Sequence, residues 1–131
     1  MAFTFKKEEK LCSRRLIDQL YTEGHRLMAF PYSVQWMINP SPLHHSQPCQ
    51  VMIVAPKRKM HHAVDRNHAR RLIRECYRMR KHRLYAFLEE HDISLVLSMV
   101  YIHNETLSYE QLGHKMDKLL ASLEKDILAA L

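Results

Sequence analysis

The sequence predicts an α+β sandwich: a single mixed sheet of about four strands with helices packed against it. Three observations carry this. Apolar residues recur at helical spacing in three separate segments. The runs between them alternate, or are rich in branched residues, as strands are. The order is helix, two or three strands, a basic helix, a strand and a last helix, which suits one sheet covered by helices. The 131 residues and 47% apolar content are enough for one core. There is no internal repeat and no linker, so residues 1–131 read as one domain.

The first helix is RRLIDQLYTE, with Ser13 as its cap and Gly24 expected to end it in a left-handed conformation. Leu16 and Leu20 lie one turn apart, as do Ile17 and Tyr21, giving a side wide enough to touch a sheet. From His25 to Asn39 the pattern alternates: Tyr32, Val34, Trp36 and Ile38 point one way, and Ser33, Gln35 and Met37 the other. Pro31 splits this run or marks an edge. NPSPLHHSQPC, with three prolines, reads as a loop, and QVMIVAP as a short buried strand stopped by Pro56. DISLVLSMVYI reads as a central strand. The last helix opens with a Ser108–Gln111 capping box, and Leu112, Met116, Leu119, Leu120, Leu123 and Ile127 form its apolar stripe.

Charge is distributed unevenly. The net charge is +6, yet Lys57 to Arg83 alone holds 11 Lys and Arg against two acids, a balance of +9, so the remainder of the chain is −3. A concentrated basic patch on a mildly acidic domain is the footprint of a polyanion site; the bland alternative is a solvated helix face, but such faces usually mix both signs.

The segment AVDRNHARRLIREC lies within this region. On a helical wheel at about 100° per residue, Ala69, Leu72, Ile73, Cys76 and Tyr77 fill one arc of roughly 140°. Arg66, Arg70, Arg71, Arg74, Arg78 and Lys81 fill another, with Asn67 among them and Asp65 a candidate N-terminal cap. The apolar arc pins the helix and the other presents guanidiniums, whose planar forks donate paired hydrogen bonds to phosphate. DNA and RNA both fit at this level. An anionic membrane fits less well, because the apolar arc is needed for the core.

Other chemistries lack their signatures. The three cysteines, Cys12, Cys49 and Cys76, form no C-x-x-C pair, which argues against disulfides and zinc. The adjacent pairs His44–His45 and His61–His62 do not share a face, and His68 has no ligand partner at the right spacing. There is no nucleophile elbow, P-loop or credible carboxylate pair. Neither a membrane span nor a signal-peptide core is visible, so a cytoplasmic protein without membrane attachment is expected.

AVDRNHARRLIRE closely resembles the Arg-Asn-Arg motif of the protein component of bacterial ribonuclease P, which typically reads A-V-x-R-N-R-x-K-R-x-x-R-E and follows a short strand ending in a basic pair. Here that pair is Lys57–Arg58, after QVMIVAP. The opening FTFKKEEKL…RRLIDQLYTEGHR is also similar to the family's, and the likeness covers nearly the whole chain in element order. It implies a sandwich like the second domain of a small-subunit ribosomal protein, with a left-handed βαβ crossover through the basic helix. It also implies a partnership with a catalytic RNA that removes the 5′ leader of precursor tRNA, with Mg²⁺ bound mainly by the RNA and one protein monomer per RNA. No catalytic group is expected on this chain.

Carried over by position, the resemblance implies RNA contacts at Lys57, Arg58, Arg66, Asn67, His68, Arg70, Arg71, Arg74 and Arg78. It implies a leader cleft between the first helix and a sheet face, with Ile17, Tyr21 and Gln35, and with Tyr32 and Trp36 as neighbours whose face is open. Plain core packing is the alternative for Tyr21 and Trp36. His68 stands where a second motif Arg is usual, His61 and His62 where Lys or Arg is common, and Ile17 and Gln35 where aromatics are frequent. These departures imply a weaker neutral-pH grip on RNA near the helix start, or contacts fitted to a divergent RNA. The rival readings are a ribosomal or structural RNA-binding protein on a similar fold, and a protein-only nuclease, for which clustered metal-binding carboxylates are missing.

Overall fold

A computed structural model describes residues 5–40 and 48–131. A 3-10 turn, Lys7–Glu9, leads into α1 (Arg14–Glu23), β1 (His25–Ala29), β2 (Tyr32–Ile38) and β3 (Cys49–Val54). Then come α2 (Ala63–Glu90), β4 (Leu95–Tyr101) and α3 (Tyr109–Ala130). The four strands form one mixed sheet in the order β1-β2-β4-β3. β4 is central, as its branched residues predict: it runs antiparallel to β2, with Gln35 opposite Ser98, and parallel to β3, with Met52 opposite Ser98. The parallel β3–β4 pair is joined through α2. Most of the predicted loop between β2 and β3 falls on residues 41–47, outside the described residues, as does the His44–His45 pair.

Alternation sorts the sheet into two faces. Tyr32, Val34 and Trp36 join Leu95, Leu97, Met99 and Tyr101 in the larger core, beneath α2 and α3. α3 supplies Leu112, Met116, Leu119, Leu120, Leu123 and Ile127, the whole predicted stripe. Each such leucine contributes about 1.5–3 kcal/mol relative to exposure. The Ser108–Gln111 capping box closes with reciprocal bonds of 3.2 and 3.1 Å, so α3 starts where the sequence says. The opposite face holds a smaller core of Leu11, Leu16, Leu20, Met37 and Val96, with α1 laid over it.

Gly24 corrects its predicted role. Its φ is −69°, in extended rather than left-handed backbone. Glycine is required for another reason: a Cβ there would stand 2.3 Å from the Leu20 carbonyl oxygen and 3.2 Å from that of Trp36. The left-handed residue is instead Asp92, φ 54°, in the turn from α2 to β4, a conformation its short polar side chain tolerates. Cys49 and Cys76 are buried and Cys12 is exposed, and all three thiols are free. Burial pushes the Cys49 thiol up to about 12, leaving it inert core.

Candidate nucleic-acid interface

α2 starts at Ala63, so Asp65 sits inside the first turn and is not the cap; His62 holds that position without a capping side-chain bond. The helix is anchored by Ala69, Ile73, Cys76 and Tyr77, all buried, with Leu72 packed at their margin. This is the predicted apolar arc. It fixes the orientation of everything on the other side of the helix.

The cations on that side have different surroundings. Lys57 and Arg58 are exposed in the turn after β3, together with Lys59, a further cation just beyond the predicted basic pair. Arg66 folds back and donates to the carbonyls of Met60 (3.0 Å) and His61 (2.9 Å), so it braces the loop entering α2. Asn67 accepts a hydrogen bond from Arg70, orienting that guanidinium. His68 and Arg71 are exposed. Arg74 is exposed and lines a groove of about 230 Å³ with Phe5, Lys10 and Ile53. Among the described residues, no ion pair engages Arg66, Arg70, Arg71 or Arg74.

Further along, the pattern changes. Arg78 is paired at 2.5 Å with Glu75 one turn back. That bond lowers the Glu75 carboxyl, with the charge of Arg74 adding to it. Lys81 is a correction. The wheel sets it on the cationic arc, but it is buried against Glu9. Tyr85 also donates to Glu9, at 2.6 Å, and the backbone N–H of Lys6 donates to its second oxygen at 2.5 Å. Burial works to raise the Glu9 carboxyl, but the bonds from Lys81, Tyr85 and Lys6 outweigh it and hold the pKa down. The wheel could not reveal this, because the partner comes from the segment before α1.

The second candidate region is the α1 face of the sheet. Tyr21 is 45% exposed, and its hydroxyl meets Ser98 Oγ at 3.0 Å. Gln35 lies directly across from Ser98 in the β2–β4 register and from Arg26 in the β1–β2 register. Ile17 packs half-buried at the edge of the smaller core. Ile17, Tyr21 and Gln35 thus share one side of the sheet. Tyr32 and Trp36 do not: they are 0% and 1% exposed in the larger core on the other side, where Tyr32 donates to the Leu112 carbonyl at 3.1 Å. Tyr32 and Trp36 therefore lie outside any cleft beside α1, because strand parity puts them beneath α2 and α3. Ser98, a lone hydroxyl in an apolar run, is the buried partner of Tyr21 on this side of the sheet, a pairing that spacing along the chain does not reveal.

The fold and site together define a class: a small α+β domain whose positive charge is gathered on one anchored helix, beside a sheet face partly covered by α1. A family model described as Ribonuclease P matches residues 5–124, and the chain belongs to that family. It is 26% identical over 125 residues to the ribonuclease P protein component of Porphyromonas gingivalis, covering 95% of this chain and 90% of that one. The solved ribonuclease P protein of Staphylococcus aureus superposes with a TM-score of 0.68 at 16% identity, covering 88% of this chain and 94% of that one. That of Thermotoga maritima gives 0.64 at 20% identity, covering 86% and 94%. At such identities the solved structures establish the fold, which is the mixed sheet with three helices described above.

Proposed function

We propose that this chain is the protein component of a bacterial ribonuclease P, binding its catalytic RNA through the first half of α2 and the 5′ leader of precursor tRNA on the sheet face beside α1. The holoenzyme hydrolyses the phosphodiester that joins leader to mature tRNA. The observation that carries the reading is the row Arg70, Arg71 and Arg74, held on a helix by buried residues and answered by no ion pair among the described residues. Holding such charges together costs self-repulsion, and a polyanion that sheds its counterions relieves it. Lys57 and Arg58 extend the same surface, and Tyr21 offers an aromatic ring to a leader base without demanding a sequence.

The hydrolytic groups belong to the RNA, with Mg²⁺ bound mainly there. Among the described residues, no group of three or more His, Cys, Asp or Glu is placed to hold a metal ion. The protein's part is to neutralise and position RNA. No helix among the described residues is long and apolar enough to cross a membrane.

The test is a multiple-turnover assay on precursor tRNA at low Mg²⁺, with the organism's own ribonuclease P RNA, with and without the protein. Restored 5′-end cleavage is the expected result. RNA binding without any gain in cleavage would leave a structural RNA-binding protein instead.

A further inference from the structure

A cleft of about 680 Å³ opens where the loop before α2, the first turns of α2 and the loop after β4 meet. His61, His62 and His68 all line it. Adjacency along the chain argues against His61 and His62 sharing one face of a regular element. The fold removes that objection: both precede the helix body, where the backbone turns, and His68 reaches the same space from α2.

The fixed charges lining the cleft cancel. Arg58 and Lys59 enter from the turn after β3; Asp65 faces them from α2 and Glu105 from the loop after β4. Two cations and two carboxylates leave no net charge while the imidazoles are neutral, beside the most positive helix of the protein. Asn104 and Thr106 add neutral polar groups to the far wall. The nearby Arg66 is committed to the Met60 and His61 carbonyls and braces the wall. The three imidazoles are therefore the groups of this cleft whose protonation would add positive charge to that balance.

We propose that this cleft is a proton-dependent site for RNA backbone phosphate, so that the protein's hold on RNA tightens on mild acidification. The inference rests on the ribonuclease P reading and adds a regulated subsite to it. A bound phosphodiester favours the imidazolium form, so protons are taken up on binding. By linkage, each proton taken up contributes a tenfold gain in affinity per pH unit.

The test is RNA affinity at constant ionic strength from about pH 8 to about pH 6, using the ribonuclease P RNA as probe. Wild type is compared with the triple variant His61→Gln/His62→Gln/His68→Gln and with Glu105→Gln. Wild-type affinity is expected to rise about tenfold per pH unit in the steep part of the profile, and the triple variant to be nearly flat. Glu105→Gln is expected to bind more tightly at the alkaline end, because a carboxylate leaves the cleft. Imidazole proton resonances provide a second readout on the unmutated protein: the three titrations move to higher pH when RNA is bound. Tight binding with a flat wild-type profile, or a triple variant that keeps its slope, overturns the proposal and leaves the ribonuclease P reading intact. Failure to bind the RNA at any pH overturns both.

Discussion

The first half of α2 and the second carry equal numbers of cations and use them in opposite ways. Arg66, Arg70, Arg71 and Arg74 meet no carboxylate partner among the described residues. Arg78, Arg80, Lys81 and Arg83 each have one: Glu75, Asp117, Glu9 and Glu124. Two of these acids come from α3 and one from the segment before α1. In the second half, acids from α3 and from the segment before α1 answer three of the four cations; in the first half no carboxylate does so among the described residues. Gly113 fits this division. A Cβ there would stand 2.4 Å from the Arg80 guanidinium, so α3 is cut away to let that arginine cross to Asp117.

Substitutions can break the contrast, and the largest effect is expected at Lys81. Lys81→Met leaves the Glu9 carboxylate buried without its cation and costs about 3–5 kcal/mol in urea unfolding. Replacing both partners together, Glu9→Leu with Lys81→Met, costs far less, because no charge is then stranded. The pH dependence follows from the depressed Glu9 carboxyl. Its stabilisation is complete above the unfolded carboxylate's pKa of about 4.3 and is lost as pH falls through the lower folded value. Acid should therefore destabilise the wild type more than the double variant. Equal acid sensitivity would remove the pair from the balance.

The opposite outcome is expected at Arg70, Arg71 and Arg74. Alanine at any of them should leave the unfolding midpoint unchanged while weakening RNA binding by about 1.5 kcal/mol, or tenfold, at moderate salt. The slope of log affinity against log salt should fall by about 0.7–0.9 for each phosphate that the variant no longer neutralises. A variant that loses stability instead belongs with the second half of the helix.

How much of this division could be read in advance depends on which partners are local. The apolar arc from Ala69 to Tyr77 and the stripe of α3 follow from spacing alone, because periodicity reports one element's own faces. The burial of Lys81 does not, because Glu9 lies 72 residues away and reaches it only through the fold. The same limit governs the sheet. Alternation separates Tyr32 and Trp36 from Gln35, but which side lies beneath two helices and which beneath α1 is settled by the topology. The row of basic residues on α2 is legible as a motif. The histidine cleft is not, since Glu105 and His61 come together only when the loop after β4 folds over the start of α2.

A smaller effect is expected on the other side of the sheet. Tyr21→Phe removes the hydroxyl that meets the fully buried Ser98 and should cost about 0.5–1.5 kcal/mol of stability. It keeps the ring. If the ring stacks on a leader base, cleavage of a leader-bearing substrate should fall with Tyr21→Ala and hold with Tyr21→Phe.

The smallest effect, and the one that sharpens the contrast most, is expected at Arg78. It sits at the boundary, near the arginine row in position but paired with Glu75 in fact. That pair is solvent-facing and one turn apart on a single helix, a geometry that contributes little to folding. Arg78→Ala should therefore leave the unfolding midpoint where it is. Its RNA phenotype decides where the interface stops. With the guanidinium already engaged by a carboxylate, a phosphate must compete for it, so the salt slope should change less than for Arg74→Ala. If the two variants lose equal slope, the Glu75 pairing yields to RNA and the interface extends one turn further along α2. If Glu75→Gln raises the affinity and Arg78→Ala then lowers it, the pair is a reserve of charge that the acid holds back.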